Sequence, residues 1–218
     1  MNSEQVKKGV AVLGGTFDPI HLGHLRLATD LIKKLNLEHL RLMPSYQPVH
    51  RDTPSATIEQ RLEMLKLAVV DSPELIIDER ELTRKGPSYT LDSLKELRAE
   101  IGPSTPLYFI LGIDAFCLLD TWHQWQHLTD FAHLVVAVRP GKHPDLSAKL
   151  SDYVQKVEYK LEGYPTSSKG SVIFMKNALL DISSTAIRKG LKEGNSVSNL
   201  VPKQVSDYLN LHKIYCSK

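Results

Sequence analysis

Short, mostly apolar runs alternate along the chain with segments whose apolar positions recur every three or four residues. Residues 10–13, 40–43, 75–77, 107–111, 134–138 and 172–175 are runs of the first kind and predict buried strands. Leu25, Ala28, Leu31, Ile32 and Leu35 recur at helical spacing, and residues 58–70 and 90–101 predict two further helices. Thr57, with Gln60 three positions on, has the capping-box pattern for the first of these. Gly102-Pro103 stops the second. Residues 142–170 are polar and rich in Lys, Ser and Tyr, and predict a surface excursion with one helix near residues 146–157. From Ser184 the pattern is helical through about Lys189, breaks at Gly190 and Gly194, and resumes after Pro202. Apolar strands alternating with helices predict an α/β fold, a Rossmann-like doubly wound parallel sheet. The expected division is residues 1–182 for that domain and 183–218 for a small helical subdomain packed on it.

Composition narrows the class. At 218 residues, 42% hydrophobic and 24% charged, the chain can bury a core without staples. A net charge of +2 with His neutral is too small for a nucleic-acid surface, although nine His leave room for a locally positive anion pocket. The two Cys, Cys117 and Cys216, predict neither a disulfide scaffold nor a zinc cluster. Residues 1–8 are polar, without the apolar core of a secretory signal, and no run reaches membrane-spanning length. A cytoplasmic protein without nucleic-acid or membrane partners is expected; oligomeric state is not legible.

The first predicted strand runs into Gly14-Gly15-Thr16-Phe17-Asp18-Pro19-Ile20-His21-Leu22-Gly23-His24. Two glycines at a strand end let a ligand approach the backbone, whose N–H groups can face phosphate oxygens. His21 and His24, three positions apart, share one face of a helix and would sit at its electropositive end. Gly23 between them leaves space for phosphate. A His-x-x-His metal site is the weaker reading, because no carboxylate or Cys accompanies the pair at helical spacing. Near the other end, Ile182-Ser183-Ser184-Thr185-Ala186-Ile187-Arg188 places hydroxyls at a helix start and Arg188 one turn on. Helix capping alone accounts for such a string; phosphate binding is the sharper reading.

Taken together, the two strings resemble the nucleotidyltransferases that carry a His-x-Gly-His motif, in which a Ser-x-x-x-x-Arg element closes over the triphosphate. The first string is also similar to a group of aminoacyl-tRNA synthetases. Those need hundreds more residues and a Lys-rich second motif, and neither is present. Pro48-Val49-His50-Arg51, Gly86-Pro87-Ser88-Tyr89-Thr90, Leu111-Gly112-Ile113-Asp114 and Thr121-Trp122-His123-Gln124-Trp125 narrow the resemblance to the bacterial nicotinate-nucleotide adenylyltransferases, over residues 10–215. Val49 departs from the second Pro expected before the His. The resemblance implies transfer of adenylate from ATP to nicotinate mononucleotide in NAD biosynthesis, with Mg²⁺ carried by ATP.

On the same basis, Gly14, Gly15, Thr16 and Phe17 bring backbone to the phosphates. His21 and His24 bind the triphosphate, and His50 and Arg51 neutralise charge from a loop. Ser183, Ser184 and Arg188 grip the β and γ phosphates, and Gly112 and Asp114 lie along the ribose. Tyr89, Thr90, Trp122 and His123 form the nicotinate pocket. Some have a plainer alternative: Thr90 or Asp114 as a helix cap, Trp122 or Trp125 as core aromatics; Arg139 reaches an acceptor phosphate or is a surface residue, and Cys117 and Met43 read as packing residues. The acceptor phosphate is already largely dianionic near neutral pH, so this chemistry needs no carboxylate base. Rival functions are a sister transferase acting on nicotinamide mononucleotide or phosphopantetheine, and a nucleotide-sensing regulator without turnover.

Overall fold

The computed structural model describes residues 8–48, 53–138, 145–160, 165, 167–176 and 180–216. The apolar runs form strands, and the periodic segments form the helices between them. In chain order these are β1 (Gly9–Gly15), α1 (Leu22–Lys34), β2 (Leu37–Pro44), α2 (Ile58–Val69), β3 (Leu75–Ile77), α3 (Arg80–Arg84), α4 (Thr90–Ile101), β4 (Leu107–Gly112) and α5 (Ile113–Phe116). Then come β5 (His133–Val138), α6 (Ala148–Lys156), β6 (Glu158–Lys160), β7 (Ser171–Lys176), α7 (Ser184–Lys192) and α8 (Lys203–Leu211). Two 3₁₀ segments, Leu119–Thr121 and Trp125–Asp130, link α5 to β5.

The strands form one sheet in the order β3-β2-β1-β4-β5-β7-β6, flanked by helices in a Rossmann-like α/β fold. Pairing is parallel from β1 to β4, β4 to β5, β5 to β7 and β7 to β6. Strand order reverses beside β1, where Val10 pairs Leu107 and Leu13 pairs Ile110. The strands were expected to be apolar on both faces, and β5 is buried along its whole length.

The helix signals act as expected. Thr57 accepts from the Gln60 N–H while the Gln60 side chain accepts from the Thr57 N–H, closing the capping box of α2. Gly102 ends α4 at φ +80°, a conformation open to glycine. Three expectations are corrected. Gly190 does not break α7, which runs on to Lys192 and stops before Gly194, where φ is +76°. A helix tolerates one glycine at a cost of about 1 kcal/mol when its other residues pack, and Ile187 and Leu191 are buried here. The polar 142–170 stretch holds, besides α6, a short strand β6 that lacks an apolar signature. Finally, Tyr89 rather than Thr90 occupies the cap of α4.

The chain clusters into two compact units. One comprises Met1–Leu13, Asp30–Arg41 and Tyr89–Asn177; the other Gly14–Thr29, Leu42–Ser88 and Ala178–Lys218. In the first, Arg98 lies on the apolar stripe of α4, four residues after buried Leu94. Its guanidinium donates to the carbonyls of Phe131, Gly102, Thr105 and Ser168, tying α4 to the entrances of β4, β5 and β7. Arg98→Ala strands these acceptors and is expected to lower the unfolding free energy by about 2–3 kcal/mol. The urea midpoint measures it, and an unchanged midpoint would show that water replaces the guanidinium without loss.

Candidate active site

In the second unit the end of β1 passes into a loop without regular structure. Ser45 N–H donates to the Gly15 carbonyl at 3.0 Å. A Cβ on Gly15 would stand 3.2 Å from the Phe17 ring, so glycine lets that ring fold back on its own strand. Phe17 is buried with φ +49°, and its ring meets His24 edge-on at 5.2 Å. Arg61 of α2, 1% exposed, donates to the carbonyls of Thr16 at 2.7 Å and Ser45 at 2.9 Å. A peptide plane points its C=O and N–H in opposite directions. With the Thr16 carbonyl turned to Arg61, the Phe17 N–H therefore points away from it.

The His21 carbonyl accepts from His24 and Leu25, so His21 stands at the cap of α1 and His24 in its first turn. Their rings stack with centroids 3.7 Å apart and 22° between planes. A Cβ on Gly23 would lie 3.0 Å from His21 Nδ1. The space that glycine leaves is thus filled by the His21 ring, rather than left for phosphate as expected. The next N–H of α1, that of Leu22, donates to the Leu200 carbonyl at 2.9 Å.

The same unit holds the 183–188 motif. Ser183 caps α7, its hydroxyl accepting from the Ala186 N–H, so for this side chain the capping reading is realised. Ser184 instead donates to the Pro19 carbonyl at 2.9 Å, and Arg188 Nη1 to the Asp18 carbonyl at 2.7 Å. The loop that carries Gly14–Phe17 thus leads into His21 and His24 at the start of α1, and Ser184 and Arg188 of α7 bond to it. His50 and Arg51, with Val49, lie outside the described residues, as does Arg139.

The first unit gathers the other candidates. The Tyr89 and His123 rings are 4.5 Å apart, and half-buried Trp122 stands edge-on to Phe109 at 6.3 Å. Thr90 opens α4, where a backbone N–H has no intrahelical acceptor. Gly112 caps α5 in open space, and Asp114 follows, exposed, in the first turn of that helix rather than at its cap. Trp125 is a core residue, packed edge-on against Tyr153 at 4.9 Å. Met43 is buried, and Cys117 is half-buried.

Residues 12–190 match the cytidylyltransferase-like family. Proteins named probable nicotinate-nucleotide adenylyltransferase are similar over nearly the whole chain. That of Marinomonas sp. is 41% identical, covering 95% of this chain and 94% of its own. That of Cellvibrio japonicus is 45% identical, covering 94% and 98%. The chain belongs to the nicotinate-nucleotide adenylyltransferase family. The fold agrees with a solved family member, Plasmodium falciparum nicotinic acid mononucleotide adenylyltransferase complexed with NaAD. That structure superposes with a TM-score of 0.70 at 18% identity, covering 95% of this chain and 97% of its own.

Three residues in and around the loop of this adenylyltransferase-family chain have no role assigned from sequence: Asp18, Arg61 and Tyr215. Asp18, 5% exposed, accepts from Ser55 N–H at 2.8 Å, Ala56 N–H at 3.0 Å and the Tyr215 hydroxyl at 2.6 Å. Arg61 had a signal: it is the one cation on the apolar face of α2, three and four residues before buried Met64 and Leu65. Tyr215 had none, since it follows α8 in a non-helical turn with φ +65°. Burial, foremost, lowers the Arg61 pKa, opposed by the charge of Asp18. Burial likewise pushes the Tyr215 phenol well up, and the bond to and charge of Asp18 add to it against Arg188 and Arg61.

That phenol makes stability depend on alkaline pH. Below its ordinary value of about 10 both folded and unfolded chains hold the proton and the contribution is complete. Above it only the unfolded chain ionises, so stability falls with rising pH. The stability difference between wild type and Tyr215→Phe is expected to be constant to about pH 10, then shrink by up to about 1.4 kcal/mol per pH unit. Urea titrations from pH 8 to 11 measure it, and a constant difference throughout would contradict the buried phenol.

Proposed function

We propose that the chain transfers adenylate from ATP to nicotinate mononucleotide, giving nicotinate adenine dinucleotide and pyrophosphate for NAD biosynthesis. The observation that carries this is a set of groups suited to phosphate around one loop: stacked His21 and His24 at the start of α1, with Arg188 of α7 tied to the loop by the Asp18 carbonyl. Family membership supplies the acceptor.

In the reaction an acceptor phosphate oxygen forms a bond to the α-phosphorus. The bond from that phosphorus to the β-bridging oxygen breaks, and pyrophosphate leaves with the electron pair. The acceptor is already an anion near neutral pH, so no side chain has to remove a proton. The protein's work is alignment and neutralisation. Backbone at Gly14, Gly15, Thr16 and Phe17 lies along the phosphates, with the Phe17 N–H aimed by Arg61. His21 and His24 bind the triphosphate, and His24 stabilises charge growing on the α-phosphoryl group. Arg188 holds the β and γ phosphates, with the hydroxyl hydrogen of Ser183 and the N–H of Ser184 at the start of α7 beside it, since the Ser184 hydroxyl is spent on Pro19; His50 and Arg51 add cationic charge. Gly112 and Asp114 contact the adenosine ribose.

Magnesium accompanies ATP, and when bound it offsets triphosphate charge. The donor set fits a cation carried by the substrate. Among the described residues no three His, Cys, Asp or Glu side chains converge, and the loop's own carboxylate, Asp18, is bonded to protein donors. The nicotinate ring packs on Trp122 and beside the Tyr89–His123 pair, and N–H groups at Thr90 and His123 receive its carboxylate.

Pyrophosphate release from MgATP, with nicotinate mononucleotide, nicotinamide mononucleotide and phosphopantetheine compared, tests the proposal. Fast release with the first alone is expected. Equal use of the second would overturn the acceptor assignment, and no release with any acceptor would favour a regulator. In the same assay His24→Ala is expected to lower kcat by about 10²–10³, the usual loss for one charge-stabilising donor. A near wild-type kcat would remove His24 from the transition state.

Acceptor choice follows a different logic. Stacking treats acid and amide rings alike, whereas N–H donors bond a carboxylate on both oxygens and leave one unpaired against an amide. A mismatch of about 1–3 kcal/mol together with stronger charged bonds amounts to roughly 10²-fold preference for the acid. Trp122→Ala should therefore raise KM for both mononucleotides by similar factors and leave the ratio of kcat/KM intact. A collapsed ratio would show that Trp122 orients the ring as well as holding it.

A further inference from the structure

Asp18 is the most heavily engaged side chain of the loop between β1 and α1. Its carboxylate is 6% exposed, and its partners come from three separate stretches of the second unit. Oδ1 accepts from the Ala56 N–H and the Tyr215 hydroxyl, and Oδ2 from the Ser55 N–H. Arg188 Nη1 lies 3.7 Å from Oδ2 and donates at 2.7 Å to the main-chain carbonyl of the same residue. A carboxylate has about four lone-pair sites; three hold hydrogen bonds, and the Arg188 charge faces the remaining side of Oδ2. Buried and bonded to protein donors on both oxygens, it is engaged by the protein rather than turned to substrate. A carboxylate this buried is costly unless fully bonded, so its effect is to fix whatever bonds to it.

Two of those partners bear on the reaction. Arg188 is gripped twice by one residue, through carbonyl and carboxylate, and Ser184 adds a bond from the start of α7 to Pro19. The guanidinium, 27% exposed, is thus held in place before any phosphate arrives. Ser55 and Ala56 lead directly into Thr57, the cap of α2, whose Arg61 returns to the Thr16 carbonyl. The Tyr215 hydroxyl, from the turn after α8, closes the arrangement.

We propose that Asp18 is a positioning residue for nucleotide binding: its carboxylate presents Arg188 to the β and γ phosphates, and the Tyr215 hydroxyl holds that carboxylate in place. The proposal rests on the assignment of Arg188 to the triphosphate made above. Asp18→Asn keeps the size, removes the charge facing Arg188 and turns an NH₂ donor toward backbone N–H groups. Tyr215→Phe keeps the packed ring and removes only the hydroxyl bond.

Calorimetric binding of MgATP and of AMP to the full-length protein tests this, with wild type, Asp18→Asn, Tyr215→Phe, Arg188→Ala and the double variant Asp18→Asn/Arg188→Ala. Thermal melts confirm folding. Loss of a well-placed charge-assisted contact is worth about tenfold or more in Kd. Asp18→Asn is expected to weaken MgATP by about tenfold and AMP, which lacks the β and γ phosphates, by less than about twofold. Tyr215→Phe should shift MgATP in the same direction by about threefold, within the range of a neutral hydrogen bond. The double variant should bind MgATP no more weakly than Arg188→Ala, because Asp18 acts through that guanidinium. A merely structural role would lower the binding-competent fraction and leave both dissociation constants alone.

Unchanged MgATP affinity in folded Asp18→Asn overturns the proposal, as do equal losses for ATP and AMP or additive losses in the double variant. Should Asp18→Asn fail to fold, Tyr215→Phe decides by the same comparison. Normal nucleotide binding with no turnover on nicotinate mononucleotide would sink the acceptor assignment and leave this inference standing. A wild type that binds no ATP would sink both.

Discussion

The loop that leaves β1 leads into the two histidines at the start of α1, yet it has no hydrogen-bonded ladder of its own to keep its shape. Its carbonyls must find donors elsewhere, because buried main-chain acceptors without partners are costly. Arg61 supplies the first, a guanidinium sunk beneath the loop that reaches the Thr16 and Ser45 carbonyls. Ser184 and Arg188 supply the carbonyls of Pro19 and Asp18. Each donor comes from a helix whose apolar face is already packed, so the loop inherits the rigidity of α2 and α7. The same bonds that satisfy the loop also aim it. Turning the Thr16 carbonyl down turns the Phe17 N–H up, and the Asp18 carbonyl draws the Arg188 guanidinium onto the loop.

This arrangement also accounts for the buried charges. Arg61, Asp18 and Arg188 form a cation–anion–cation sequence, and Tyr215 adds a neutral donor. A buried ion pair is poor evidence for stability by itself, since desolvation offsets much of the attraction. Its value here is geometric. Replacing the set with apolar groups would leave the loop carbonyls unpaired and remove the cation held at Asp18. A site that must hold a polyanion needs fixed positive charge, and a guanidinium anchored by one carboxylate keeps its place without the ligand.

What the sequence shows well is what depends on local pattern. The capping box at Thr57 and Gln60, the stop at Gly102 and the strand at residues 75–77 follow from short-range chemistry, and all are present. The parallel sheet follows from apolar runs alternating with helices. What it hides depends on contacts between distant positions. Asp18 to Tyr215 spans nearly the whole chain, and nothing local in either residue foretells the bond. β6 is paired through its backbone without an apolar signature, so a hydrophobicity pattern misses it. Arg61 and Arg98 are the intermediate case: each stands where the helical stripe calls for an apolar residue. A cation in that position is a sign of carbonyls awaiting a donor.

The candidate groups divide by the kind of force they exert. Those of the second unit are a guanidinium, two imidazoles and backbone dipoles in and around one loop, suited to charge that grows on phosphoryl oxygens. Those of the first unit are aromatic rings and the first turn of α4, suited to a flat ring bearing a small anion. Charge complementarity of the first kind is common to every nucleoside triphosphate and cannot tell one acceptor from another. Discrimination between acceptors has to come from the second kind, through donors aimed at a ring substituent. Such donors discriminate only if they are rigid, since a mobile N–H would adapt to an amide as readily as to a carboxylate. The N–H of Thr90 belongs to the first turn of a twelve-residue helix that buries Leu91, Ser93, Leu94 and Leu97, and that packing gives it the required rigidity.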